Sequence, residues 1–214
     1  MSLYNAFETV IKSLGMQTVT HPLFYNSKIA IRFNIGDNGN EVYLDENEED
    51  FTVNPEYVSA CLKRAKQIYR TLRNAPNILV IEGYLYENDS VEDFINTVIT
   101  ATDLQHPQET KIEKISDEDE EFNHIFLCWE LNEFNPSKLL QKIIIADLGS
   151  GNHFLTSSVY FVCSEDNILF HLYDDRGADL CAEKAVSISH IYKQLNHLIL
   201  EYDREKIDSI FKAR

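Results

Sequence analysis

A chain of 214 residues with 44% apolar and 25% charged content can build one hydrophobic core and needs no second domain. Thirty-five acids against nineteen bases leave a formal net charge of −16. That charge repels phosphate backbones and anionic lipid, so nucleic acid and membrane surfaces are excluded as partners and a basic protein is favoured. The first predicted element is a helix, with Leu3, Phe7, Val10, Ile11 and Leu14 at helical spacing and Gly15 as its stop. Glu8 and Lys12 interrupt any apolar run there, so residues 1–15 do not read as a signal peptide. No apolar run reaches the ~20 residues of a membrane span. Cys61, Cys128, Cys163 and Cys181 are widely spaced and form no C-x-x-C pair, so neither a zinc site nor a disulfide framework is expected. A reduced, cytoplasmic setting follows.

Ile29, Ile31, Phe33 and Ile35 alternate with Ala30, Arg32 and Asn34, the pattern of a half-buried strand. A turn is expected over 37–40 and a short returning strand over 42–44. Asn54-Pro55 opens a long helix with a stripe of Val58, Cys61, Leu62, Ala65, Ile68, Tyr69 and Leu72. The pattern then predicts a strand over 78–86, a helix over 91–101 capped by Ser90, and a strand over 125–131. The polar connection 104–121 reads as a mobile acidic loop. Asn135-Pro136 opens a helix that buries Leu139, Leu140, Ile143 and Ile144, with Gly149-Ser150-Gly151 as its stop. A hairpin over 159–163 and 168–173 and a third strand over 178–181 follow. One long closing helix then buries Ile188, Ile191, Tyr192, Leu195, Leu198, Ile199 and Tyr202. The whole predicts an α+β fold in a single domain, 1–214, with a largely antiparallel sheet of about five to six strands packed by helices.

The candidate chemistry gathers in the last third. Asp174-Asp175-Arg176-Gly177 reads as a tight turn, with Gly177 at a positive φ and Arg176 paired to an acid. With His171 three residues earlier, the two carboxylates could also hold a divalent cation or act as acid and base, although in a strand they point to opposite faces. Tyr160, Val162, Leu169, His171 and Tyr173 form an amphipathic hairpin face. It is either covered by a helix or serves as a ligand groove or partner patch, with His171 as a hydrogen-bonded interior histidine. Arg204 is expected to pair with Asp208 if the last helix is continuous; if the chain bends, Asp203 caps a short helix over 204–211. We expect Asp203 or Arg204 to reach the 174–177 turn and lock it. The acidic runs that include Glu48, Glu49 and Asp50, and Glu118, Asp119 and Glu120, lack the ligand spacing of an EF-hand and read as loops able to face a basic partner. Gly149-Ser150-Gly151 lacks a P-loop's lysine, and no zinc, Rossmann or hydrolase signature is present. No catalytic residue, metal or cofactor is therefore assigned.

Phe170-His171-Leu172-Tyr173-Asp174-Asp175-Arg176-Gly177, followed by Tyr202-Asp203-Arg204-Glu205, resembles the bacterial domain of unknown function thirty-eight eighty-five, in a YDDRG-type turn and a YDRE-type closing helix. The likeness extends upstream through Leu23-Phe24-Tyr25, Ile31-Arg32-Phe33 and the helix at 65–72. Cys181 and the short Glu183-Lys184-Ala185 link depart from its pattern. The resemblance implies a bacterial α+β domain and no particular activity. With the charge, it leads to the expectation of a non-enzymatic cytoplasmic protein-binding domain, for instance an immunity-type protein neutralising a basic toxin. The alternative is a metal-assisted hydrolase using Asp174, Asp175 and His171.

Overall fold

The computed structural model describes residues 1–36, 39–44, 52–117, 120–149 and 153–212. The helices start where side chains can take up free amides. Ser2 accepts from the Asn5 amide at the head of α1 (Leu3–Ser13), and Ser90 does the same for Asp93 at the head of α4 (Val91–Thr102). Asn54 caps α3 (Pro55–Thr71), with Pro55 in the first turn as expected. The short α2 (Leu23–Asn26) precedes β1 (Ala30–Asn34), and α5 (Ser137–Ala146) precedes the hairpin of β5 (Val159–Cys163) and β6 (Ile168–Leu172).

Seven strands form one antiparallel sheet, in the order β1-β7-β6-β5-β2-β4-β3, where β2 is Ile78–Tyr86 and β7 is Gly177–Ala182. Seven exceeds the expected five to six. The additional strand is β3 (Glu109–Asp117), which pairs with β4 (Glu120–Glu130) inside the stretch 104–121 expected to be a loop. Its sequence is rich in Lys and Glu because it lies at the sheet edge, where charge discourages pairing with another chain. Residues 42–44 form only an isolated bridge, Tyr43 to Val53.

The closing segment also differs. Instead of one helix, the chain forms α6 (Ala185–Gln194), 3-10 turns at Asn196–Leu198 and Glu201–Asp203, and α7 (Arg204–Phe211). Between those turns it runs along the outer edge of β1, bridging Ile199 to Phe33 and donating the Leu200 amide to the Arg32 carbonyl at 2.9 Å. An edge that would otherwise stay unpaired is thereby covered. The break leaves Tyr202, expected in the buried stripe, 87% exposed.

The two faces of the sheet differ in chemistry. On one, Phe161 and Phe170 pack against Tyr69 of α3, with ring centroids at 5.4 and 6.2 Å. On the other, Phe7 of α1 packs against Tyr160 and Phe126, and α2 and α7 lie over β1 and β7. Among the described residues no helix is long and apolar enough to cross a membrane.

Candidate functional site

Strand register places a polar row on the face under α1 and α2. Arg32 stands opposite Asp179, Asp179 opposite His171, and His171 opposite Tyr160, across β1, β7, β6 and β5. Residues directly opposed in an antiparallel sheet share a face, and so do residues two apart along a strand. Tyr160 lies opposite Val80, so Glu82 continues the row on β2, and His124, opposite Tyr84, continues it on β4.

Two buried networks occupy this row. In the first, the Arg32 guanidinium forks onto Asp179, Nε to Oδ1 at 2.8 Å and Nη2 to Oδ2 at 3.0 Å. Its Nη1 lies 3.7 Å from Asp203 Oδ2, and the Tyr25 hydroxyl donates to Asp203 Oδ1 at 2.8 Å. The guanidinium also lies over the Phe24 and Tyr25 rings at 5.0 and 4.9 Å. In the second, Glu82 is held directly by two donors, with His21 Nε2 behind them at 3.5 Å from Oε1. The Tyr160 hydroxyl donates to Oε1, and His124 Nε2 lies 3.2 Å from Oε2. His21 Nε2 lies 2.8 Å from the Tyr160 hydroxyl, which accepts from it while donating to Glu82. Burial pushes the Glu82 carboxyl up, but the hydrogen bonds from His124, His21 and Tyr160 outweigh it and bring it down to about 2.

His171 lies between the networks and joins neither. It is 1% exposed, its ring is 5.0 Å from those of both Tyr160 and His21, and neither ring nitrogen makes a hydrogen bond. Burial, reinforced by the charge of His21, pulls it down to about 3, so it is neutral at physiological pH. The expected hydrogen-bonded interior histidine is thus interior, with a weak contact to the Ser157 backbone in place of a full hydrogen bond. It borders a cavity of about 270 Å³ whose lining includes His21, Arg32, Tyr173, Asp174 and Arg176.

The 174–177 turn forms the rim of that cavity. Asp174 Oδ1 accepts the Arg176 amide at 2.8 Å and the Gly177 amide at 3.3 Å, and Oδ2 accepts the Arg176 side chain. The expected pairing of Arg176 with an acid is therefore present. Gly177 does not take a positive φ. It is glycine for a different reason: a Cβ there would overlap the Tyr173 hydroxyl and press on the Phe33 carbonyl at 3.0 Å. Asp175 turns away, accepting the hydroxyl of Tyr57 on α3 at 2.5 Å. Burial pushes its carboxyl up, against the pull of that bond.

The tail does not lock the turn as expected. Asp203 reaches Arg32 and Tyr25, and Arg204 reaches Glu201 and Asn196. The link to the turn is indirect, through Arg32, whose partner Asp179 follows the turn by two residues. Asp208 bonds Tyr192 and Lys212 rather than Arg204, and Asp203 makes no side-chain cap on α7 although α7 spans 204–211 as the bent alternative requires.

Oxygens of Asp174, Asp175 and Asp147 lie within 4.8 Å of one another, and Asp147 was not read from the sequence. The Arg176 guanidinium spans Asp174 and Asp147, Tyr57 takes Asp175, and His171 is not in the cluster. Glu48, Glu49, Asp50, Glu118 and Asp119 lie outside the described residues, and of Glu120 only the backbone, at the start of β4, is described.

At the far end of the same face, beyond α1, Tyr84 and Tyr86 are 60% and 59% exposed. Tyr84 stacks on His124 at 4.2 Å, and Tyr86 lies against Phe122 at 5.1 Å, with Ile115 opposite Phe122 on β3.

The family model described as Domain of unknown function (DUF3885) matches residues 7–203. The chain belongs to this family. No curated protein and no solved structure matches it. The DUF3885 match takes in every strand and closes at Asp203, the residue that reaches Arg32, so both networks lie within the family segment.

Proposed function

We propose that this DUF3885 chain is a protein-binding domain that docks a basic partner on the uncovered end of its sheet, over β2, β4 and β3. The observation that carries the reading is the group Tyr84, Tyr86, Phe122 and Ile115, which share one face and of which Tyr84 and Tyr86 are left exposed by the described residues. Exposed aromatic clusters of this kind mark docking surfaces more often than scattered apolar residues do. Charge gives the partner's sign. The patch adjoins the β3–β4 hairpin, whose ends meet at Asp117 and Glu120, on a chain of net charge −16. Such a surface speeds encounter with a basic protein and repels acidic ones. A basic bacterial toxin would be one partner of this chemistry, and the domain would then act as its immunity protein.

The competing metal-assisted hydrolase draws less support. Its three residues divide: Asp174 holds Arg176, Asp175 holds Tyr57, and His171 borders the same cavity as Asp174 but stands outside the carboxylate cluster.

The test compares the wild-type chain with a Tyr84→Ser/Tyr86→Ser variant as bait in extracts of the native host, with partners identified by mass spectrometry. A basic protein that is captured by the wild type, lost with the double variant and released by salt supports the reading. A partner held equally by both baits, or no partner across growth conditions, refutes it.

A further inference from the structure

We propose that the cavity beneath the 174–177 turn binds a small, uncharged, hydroxyl-rich ligand of the chemistry of a monosaccharide or cyclitol, with His171 at its floor. This site is separate from the aromatic docking face and does not depend on it.

Three observations lead there. The first is the under-satisfied imidazole. Both nitrogens of His171 are buried, neither makes a full hydrogen bond, and the one polar group that weakly engages the ring is the Ser157 backbone, on the wall of the cavity that His171 borders. Buried polar atoms are nearly always paired, and a neutral imidazole offers one donor and one acceptor. Its partner must therefore be able to accept and to donate. A hydroxyl group does both.

The second is charge. Each arginine in the wall is already matched, Arg32 by Asp179 and Arg176 by Asp174. Asp203 and Asp147 stand behind these pairs at 3.7 and 3.9 Å from the guanidinium nitrogens. An anion would have to compete with these carboxylates for the arginines, and a cation would have to displace the arginines from the carboxylates. A neutral ligand disturbs neither pair, and the ion pairs still offer it directional hydrogen bonds.

The third is size and surface. A volume of about 270 Å³ is below the ~300–1,000 Å³ range of drug-sized pockets and suits a single ring. The Tyr173 and His21 rings in the lining provide apolar faces for the C–H side of a sugar, while Tyr173 also brings a hydroxyl.

The experiment titrates the full chain with D-glucose, D-galactose and myo-inositol, and in parallel with sodium phosphate, acetate and tetramethylammonium. It follows heat and the ring nitrogen signals of the histidines by NMR. At least one neutral polyol should bind at concentrations up to about 50 mM. It should shift the His171 signals while leaving exposed His106 unmoved. His171→Phe should weaken it ~10-fold or more, and His171→Gln, which keeps a donor and an acceptor, should weaken it less. If His171→Phe does not fold, the wild-type NMR shifts decide alone. Preference for phosphate, acetate or tetramethylammonium would overturn the proposal. So would the absence of any polyol-induced shift at His171, which would leave water as the occupant.

Discussion

The two faces of this sheet are built from the same strands by opposite rules. Under α3 the exclusion of water does everything: Phe161 and Phe170 lie 5.8 Å apart, with Tyr69 edge-on above them. Under α1 and α2 the same strands each insert an ionisable side chain, namely Arg32, Asp179, His171 and Glu82. An apolar residue at each of these positions would also fill space, and replacing buried ion pairs with well-packed apolar groups is often neutral or stabilising. Burial alone therefore does not account for the second face. Perturbed buried groups of this sort concentrate at functional sites.

The sharpest way to break the comparison is Arg32→Ala. It removes no core volume on the α3 side, yet strips Asp179 and Asp203 of their cation while both stay buried. The expected cost is ~3–5 kcal/mol, equal to deleting a large aromatic such as Phe161 from the other face. Denaturant melts of Arg32→Ala and Phe161→Ala should give comparable losses. A loss under ~1 kcal/mol for Arg32→Ala would mean that the first network is ornamental.

Glu82 comes next. Its carboxyl is held at about 2 in the fold against an ordinary value of 4.5, so the ionised form favours the folded state. That contribution is complete above pH ~4.5 and is lost as pH falls towards 2. Its size is on the order of 3 kcal/mol. Glu82→Gln should lose about that much at neutral pH and should flatten the acid limb of the stability profile.

His171 acts over a different pH window. Its folded value of about 3 lies below the ordinary 6.5, so the unfolded chain binds the extra proton between those limits. Stability should fall as pH drops from 6.5 towards 3, by up to ~1.4 kcal/mol per pH unit, and His171→Phe should remove this slope. An unchanged slope would mean that the buried ring is protonated.

Most of the framework was legible because it follows local rules. Ser90, Asn54-Pro55 and the alternation through β1 act within a few residues, and each formed the expected element. The site was legible only in part. Asp174, Arg176 and His171 were read from one hairpin, whereas Arg32, Asp179 and Glu82 become partners only through sheet register. The available signal was a single charged residue in each apolar strand: Arg32 in AIRFN, Asp179 in GADLCA and Glu82 in ILVIEGYLY. A buried charge in a strand requires a cross-strand partner. The edge strand β3 was misread for the converse reason, since its charges suit an edge and hide its period. The closing helix is interrupted where Ile199 bridges Phe33 and the Leu200 amide bonds the Arg32 carbonyl, which covers the open edge of β1, a long-range pairing that no local pattern announces.

The smallest effect concerns Asp175, at the border between the two faces. Its carboxylate accepts from Tyr57 of α3, so the turn is tied to the apolar layer by one polar contact. Burial raises its carboxyl above the usual 3.8, so its charge costs stability as pH rises from 3.8 to the folded value, and that cost is complete above it. Two variants separate the contact from the charge. Asp175→Ala leaves the buried Tyr57 hydroxyl without an acceptor and should cost ~1–3 kcal/mol, more than the ±0.5 kcal/mol of a surface change. Asp175→Asn keeps an acceptor and discards the charge, so at pH 7 it should stay within about 0.5 kcal/mol of wild type or exceed it. Melts of both variants at pH 4 and pH 7 check this, with the advantage of Asn over Asp growing as pH rises. If Asn proves as damaging as Ala, the charge itself is required, and Asp175 belongs with Arg32 and Glu82 among the groups that burial does not explain.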